Sequence, residues 1–159
     1  MVVAAHVYRL GTTWTGDLGA GTAGYGTYSR DFSIECPGKP VLFGSADPGF
    51  RGDAGRYNPE ELLLAALSSC HLLWYLHLCA DAGVVVRSYR DAASGTMETA
   101  PDGGGAFTEV TLRPEVGLED AQRVDHALRL HDAAHDRCFI ARSMNFPVRC
   151  EPRCVVWGG

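Results

Sequence analysis

Residues 57–83, YNPEELLLAALSSCHLLWYLHLCADAG, decide how this chain is read. Asn58 stands where a helix N-cap belongs, and Pro59 follows at the first helical position, where its missing N–H costs nothing. Glu60 and Glu61 occupy the first turn, which suits the positive end of the helix dipole. Residues 62–80 carry no Asp, Glu, Lys or Arg, and Gly83 supplies the C-terminal stop. The pattern predicts one long helix. It lacks a polar face. Leu63, Ala66, Leu67, Cys70, Leu73 and Trp74 form one apolar stripe, and Leu62, Ala65, Leu72, Leu76 and Cys79 form another. A helix apolar all round is either enclosed by protein or lies in a membrane. The run approaches the ~20 residues of a span. But Ser68, Ser69, Cys70 and His71 fall in its middle, where polar groups are costly in lipid. The reading is therefore the central helix of a soluble domain with no membrane partner. At ~1.5 Å per residue the helix outreaches what a short chain can cover, so a second copy is expected to help bury it, giving an obligate homodimer.

Around that helix the chain reads as one α+β domain over residues 1–159. Residues 4–10, 12–26 and 26–35 suggest short strands and turns, with Tyr28, Phe32 and Ile34 on one face, and residues 41–43 pair back. Residues 44–57, GSADPGFRGDAGRY, are a charged loop leading into the helix, a place where function often sits. Residues 84–98 and 106–116 read as a hairpin, and residues 118–134 as an amphipathic helix with Val124, Leu128 and Leu130 apolar. A short second helix is expected to begin near Cys138, and residues 147–157 form a closing strand.

Composition narrows the function. With 46% apolar and 21% charged residues the chain is globular in type, and a net charge of −5 without a basic cluster argues against nucleic acid. The N-terminal stretch lacks the basic and apolar regions of an export signal, so a cytoplasmic location is expected. There the six cysteines (Cys36, Cys70, Cys79, Cys138, Cys150, Cys154) meet a reducing environment, as buried thiols, redox centres or metal ligands. Two stand out by position: Cys70 in mid-helix and Cys138 at a helix start, where a thiol's pKa would fall. From position alone, a plain core thiol is the more common reading of each. The other four read as structural, with Cys150 and Cys154 on one face of the last strand.

The segments NPEEL (58–62) and AALSSCH (65–71) together resemble the OsmC and organic hydroperoxide resistance family, in which an NPE-L motif precedes a peroxidatic cysteine by ten residues. Glu60 and Cys70 have that spacing; Cys138 in CFIARSMNFPV fits the family's second cysteine, and Trp14, Gly16 and Asp17 look like its N-terminal pattern. The resemblance covers nearly the whole chain. It implies an OsmC-like fold, antiparallel sheets on a long central helix in an intertwined homodimer. It also implies a thiol peroxidase that needs no cofactor: Cys70 peroxidatic, Cys138 resolving through an intrachain disulfide, Glu60 in the glutamate role, and a dithiol reductant, lipoyl in some members. An arginine completes the family site; Arg51 is favoured, with Arg56 and Arg30 as alternatives. The guanidinium would keep a buried sulfur anionic, and apolar neighbours such as Trp74 would favour organic hydroperoxides.

Ten residues of continuous helix span ~15 Å, so either the helix breaks between Glu60 and Cys70 or, the favoured reading, Glu60 serves the partner's Cys70 at a shared interface. A rival reading is a metal-binding or small-ligand protein using His131 and His135, an i, i+4 pair, with Cys138 and in one version Cys70. His71, directly after Cys70, departs from expectation in the same direction.

Overall fold

The computed structural model describes residues 4–158. The chain divides into two compact units, one reaching to Leu62 and one beginning at Leu63.

In the first unit, β1 (Gly11–Trp14), β2 (Phe32–Glu35) and β3 (Leu42–Gly44) form an antiparallel sheet in that order. The strand expected at residues 4–10 is absent: the chain there has no regular structure and β1 starts at Gly11. The long strand expected at 26–35 shrinks to β2, and its buried side chain is Ser33, with Phe32 and Ile34 half-buried. The Phe32 ring lies where a side chain on Gly44 would stand, so only glycine fits at that register position.

The decisive helix forms as read. Helix α1 runs unbroken over Pro59–Asp81. Its start is a capping box: Asn58 Oδ1 accepts the Glu61 N–H at 2.8 Å and Glu61 Oε2 accepts the Asn58 N–H at 3.1 Å. Such a cap contributes about 1 kcal/mol. Gly83 takes φ 66°, and the Val84 N–H reaches back to the Cys79 carbonyl at 2.8 Å, closing the C-terminus as a Schellman turn. The face it buries is neither stripe expected from the sequence. Leu67, His71, Tyr75, Leu78 and Cys79 are buried, at steps of three and four residues, while Leu73 on another face is 67% exposed. By length and composition α1 could cross a membrane, with mean hydropathy 1.6 over its most apolar window. Its buried stripe packs instead into protein: Tyr75, Leu78 and Cys79 join Val84, Val116, Leu118, Ala127 and Ala134, and Leu67 joins Val110 and Leu112.

In the second unit the expected hairpin strands are each broken in two. They give β4 (Val86–Asp91) and β5 (Ser94–Thr99), then β6 (Gly105–Leu112) and β7 (Pro114–Leu118). After α2 (Val124–Arg137) the closing strand is likewise split into β8 (Val148–Cys150) and β9 (Arg153–Val156). Two sheets result, β4-β7-β9 and β5-β6-β8. Prolines account for two of the breaks, because Pro114 and Pro152 have no N–H to give to a ladder. Arg113 ties the corner together. Its backbone N–H donates to Asp91 Oδ1 at 2.7 Å, its Nη1 to Ser94 Oγ at 2.6 Å and its Nε to Glu151 Oε2 at 3.1 Å. Asp91 Oδ2 accepts the Ser68 hydroxyl of α1 at 2.5 Å, so the same corner holds the helix. The sheets are not wholly antiparallel. α2 carries the chain across, so β8 returns parallel to β6 and β9 parallel to β7.

Candidate functional site

Cys70 and Cys138 come together in the second unit. Cys70 is half-buried on α1; Cys138 is buried at the C-cap of α2, with φ −65° and ψ 108°. The short helix expected to start at Cys138 is not there. α2 runs on to Arg137, and only a 3-10 turn, Ala141–Ser143, follows. Cys138 therefore sits at the negative end of a helix rather than the positive one. Its thiol lies close enough to that of Cys70 for the two to influence each other, and its Sγ accepts the Ala141 N–H at 3.4 Å. Burial, then the neighbouring Cys70 thiol, pushes the Cys138 thiol up to about 11. This is opposite to the lowering expected for a helix start.

Cys138 thus keeps its proton at neutral pH. The unfolded thiol titrates near 9.0 and the folded one near 11, so stability is constant below that window and falls as pH rises through it. In a Cys70→Ser variant, the pH dependence of Cys138 alkylation by iodoacetamide is expected to have its midpoint above 9.0, because burial is the main cause of the shift. A midpoint at or below the free-thiol value contradicts a buried, protonated partner.

Beside the pair, Leu73, Trp74 and His77 of α1 line an open cleft of about 320 Å³. Trp74 meets Phe139, the neighbour of Cys138, edge to face at 5.5 Å, and Phe139 is 69% exposed. Apolar side chains flank the pair, and of the two cysteines Cys70 is partly exposed while Cys138 is buried.

The remaining expected residues lie in the first unit. Arg51 closes a 3-10 turn, Pro48–Phe50, at φ 66°, the one non-glycine with positive φ among the described residues. Gly52 behind it has no room for a side chain against the Ala46 carbonyl. A conformation this costly persists only where its surroundings enforce it. The Arg51 guanidinium stands over the Tyr25 ring at 5.6 Å and beside Gly26, with no carboxylate in ion-pair range among the described residues. The other arginines are engaged. Arg56 pairs with Asp31 at 3.6 Å and Asp53 at 3.4 Å. Arg30 donates to the Tyr25 and Tyr28 carbonyls, each at 2.6 Å. Glu60 has a buried Oε2 without a hydrogen-bond partner among the described residues.

The metal-ligand set expected from the sequence is rearranged. Neither Cys138 nor His135 is among the converging ligand atoms. His131 converges instead with His71 and Cys150, their ligand atoms all within 4.8 Å of one another. His71 Nε2 lies 3.0 Å from His131 Nδ1 and 3.5 Å from Cys150 Sγ. His131 is stacked on Tyr75 with ring centroids 3.8 Å apart. Burial, then His135, pulls His71 down to about 4, and burial, then His71, pulls His131 down to about 3, so both rings are uncharged at neutral pH. Burial, then the carboxylates of Asp91, Asp132 and Glu151, pushes Cys150 up to about 12. Cys150 and Cys154 do not share a strand: they lie on β8 and β9, in different sheets, and Cys154 neighbours the Tyr75 hydroxyl at 3.7 Å. Sequence reasoning took Cys150 as structural, and only the oddity of a histidine in the apolar helix hinted at this cluster.

The sequence profile of the OsmC-like protein family matches residues 52–153. The chain belongs to that family. Among solved structures, an OsmC-like protein of unknown function from Vibrio cholerae is 30% identical with a TM-score of 0.83, over 93% of this chain and 99% of that one. Two organic hydroperoxide resistance proteins share the OsmC fold at lower identity. One, from Elizabethkingia anophelis, is 18% identical with a TM-score of 0.67 over 96% and 99% of the two chains. The other, from Legionella pneumophila, is 17% identical with a TM-score of 0.67 over 96% and 100%. No curated protein matches the sequence. As an OsmC-like chain it combines a paired-thiol centre with a buried histidine pair, and the two lie side by side on α1 at Cys70 and His71.

Proposed function

We propose that this OsmC-like protein is a thiol peroxidase that reduces organic hydroperoxides in the cytoplasm. The observation that carries the reading is the closeness of the Cys70 and Cys138 thiols, near enough for Cys70 to raise the Cys138 pKa. The Cys70 thiolate attacks the distal peroxide oxygen; the O–O bond breaks, Cys70 becomes a sulfenic acid, and the alkoxide leaves as the alcohol after taking one proton from solvent. Cys138 then displaces the hydroxyl. Its own proton leaves with that hydroxyl as water, and an intrachain disulfide remains. A dithiol, lipoyl-bound or free, returns both cysteines to thiols and is itself oxidised to a disulfide. The apolar cleft at Leu73 and Trp74, with Phe139 beside it, favours an alkyl or lipid substrate over hydrogen peroxide. All six cysteines are free thiols, which suits a reducing compartment.

Arg51 is the arginine assigned to keep the Cys70 sulfur anionic, with Glu60 holding its guanidinium by paired hydrogen bonds. Within α1, Glu60 and Cys70 are separated by ~15 Å of helix rise. Glu60 has an oxygen without a donor and Arg51 a guanidinium without a carboxylate. We assign both to a homodimeric site in which Glu60 of one chain serves the other. The exposed apolar face of α1 around Leu73 is the surface such a dimer would cover. Arg51→Met is expected to slow Cys70 oxidation by at least ~10-fold with little change in thermal stability, whereas Arg30→Met should act chiefly on stability. Equal peroxide rates for wild type and Arg51→Met reject Arg51.

Intact mass after one equivalent of cumene hydroperoxide tests the cycle. The expected product is lighter by two hydrogens, with the linkage mapping to Cys70 and Cys138. A disulfide elsewhere, or an unchanged mass, rejects the pair.

A further inference from the structure

Three heteroatoms from three separate elements converge in the second unit: His71 Nε2 from α1, His131 Nδ1 from α2 and Cys150 Sγ from β8. Both of the others are aimed at the one His71 nitrogen. That atom has a single proton or a single lone pair, so it can serve only one of them well as a hydrogen-bond partner. A cation set among the three serves all of them. The rings are already held: His71 and His131 are buried at 0% and 1% exposure, and Tyr75 stacks on His131 and fixes its plane.

We propose that His71, His131 and Cys150 form a binding site for a divalent transition metal of the zinc type, with a fourth position left open. The spacing fits. With Zn–N of ~2.0–2.1 Å and Zn–S of ~2.3 Å, tetrahedral geometry places N and S ~3.6 Å apart and the two N atoms ~3.3 Å apart. The His71–Cys150 distance is 3.5 Å, and the His71–His131 distance of 3.0 Å needs to open by only a few tenths of an ångström. The donor chemistry selects the same class. Two imidazoles and a thiolate are too soft and too few for magnesium or calcium, which take oxygen. Cys150 lines a cavity of about 160 Å³ whose other walls are Asp132, His135, Asp136 and Val148. Of the three ligand residues Cys150 is the one that faces this cavity, which carries two carboxylates and an imidazole. Binding replaces the Cys150 proton with the metal, so one proton is released per ion. The metal would pin α1, α2 and β8 to one another, one helical position away from Cys70.

Cobalt(II), a zinc surrogate whose coordination is visible, tests the site in protein first stripped with a chelator. Wild type is expected to take up one equivalent per chain, with a thiolate-to-cobalt charge-transfer band, intense visible bands from a tetrahedral ion and a rise in Tm. Cys150→Ser should lose the charge-transfer band, and His131→Gln should lose the stoichiometric uptake. Cys70→Ser and Cys138→Ser should keep both. Absence of stoichiometric uptake by wild type overturns the site. So does a charge-transfer band that survives Cys150→Ser, or one that vanishes in Cys70→Ser, which would assign the ion to the redox thiols. The result is independent of peroxide turnover, since the two sets share no residue.

Discussion

Replacing Cys70 with serine is expected to lower kcat/KM for cumene or tert-butyl hydroperoxide by at least ~10³-fold, the scale on which removal of a covalent nucleophile acts. A serine hydroxyl is not ionised at neutral pH and is a poor nucleophile toward peroxide oxygen. The exchange changes one half-buried atom on α1, so the far-ultraviolet circular dichroism and Tm should stay near those of wild type. Cys138→Ser should behave differently. Its Cys70 still attacks, so one equivalent of hydroperoxide is consumed in a burst. Turnover with a dithiol then stalls, the sulfenic acid becomes trappable by dimedone, and excess peroxide drives it on to sulfinic acid. Unchanged steady-state turnover in Cys70→Ser sinks the peroxidatic assignment. A full dithiol-driven cycle in Cys138→Ser, at wild-type rate, removes the resolving role while leaving Cys70 in place.

The contrast between those variants depends on a detail that local sequence signals misjudge. Residues 136–145 read as a helix starting near Cys138, because Arg137, Cys138, Phe139 and Ile140 carry no breaker. The structure ends α2 one residue before Cys138, and no Gly or Pro marks the stop. Cys138 therefore gains nothing from a helix N-terminus, and burial raises its thiol pKa. Signals with their own chemistry were readable in advance. Asn58, Pro59, Glu61 and Gly83 bound α1 as they should, since caps depend on neighbours within a few residues. The strand breaks at Pro114 and Pro152 have a local cause that the sequence carries, yet residues 106–116 and 147–157 each read as one unbroken strand. The break at Ala92 and Ala93 is imposed from a distance, by Arg113 bonding Asp91 and Ser94 across the corner. The histidine cluster is a long-range product as well. His71 and His131 are sixty residues apart and meet only once α1 and α2 lie side by side, so the i, i+4 spacing of His131 and His135 pointed to the wrong pair. In an apolar helix, a buried histidine is costly without a partner, and that cost was the available clue.

Leu67→Ala on α1 is expected to cost ~2–5 kcal/mol, the range for a fully enclosed leucine whose neighbours cannot close the gap. Leu67 is fully buried against Val110 and Leu112. For a chain of this size the loss corresponds to a Tm lower by roughly 4–20 °C. Leu73→Ala, six residues on, is the informative control. Leu73 is mostly exposed within one chain, so in an isolated monomer its truncation should change Tm by no more than a surface substitution does, within ~0.5 kcal/mol. If a second copy covers this face, two further effects appear. The Tm of wild type rises with protein concentration, and Leu73→Ala lowers it by more than the surface value while weakening self-association in sedimentation. A concentration-independent Tm together with a silent Leu73→Ala would mean that α1 spends its second apolar face on solvent, and the shared site assigned to Glu60 and Arg51 would then lose its basis. Leu67→Ala should be destabilising in either case. The ratio of the two effects therefore reports how much of this helix is buried by its own chain and how much by another.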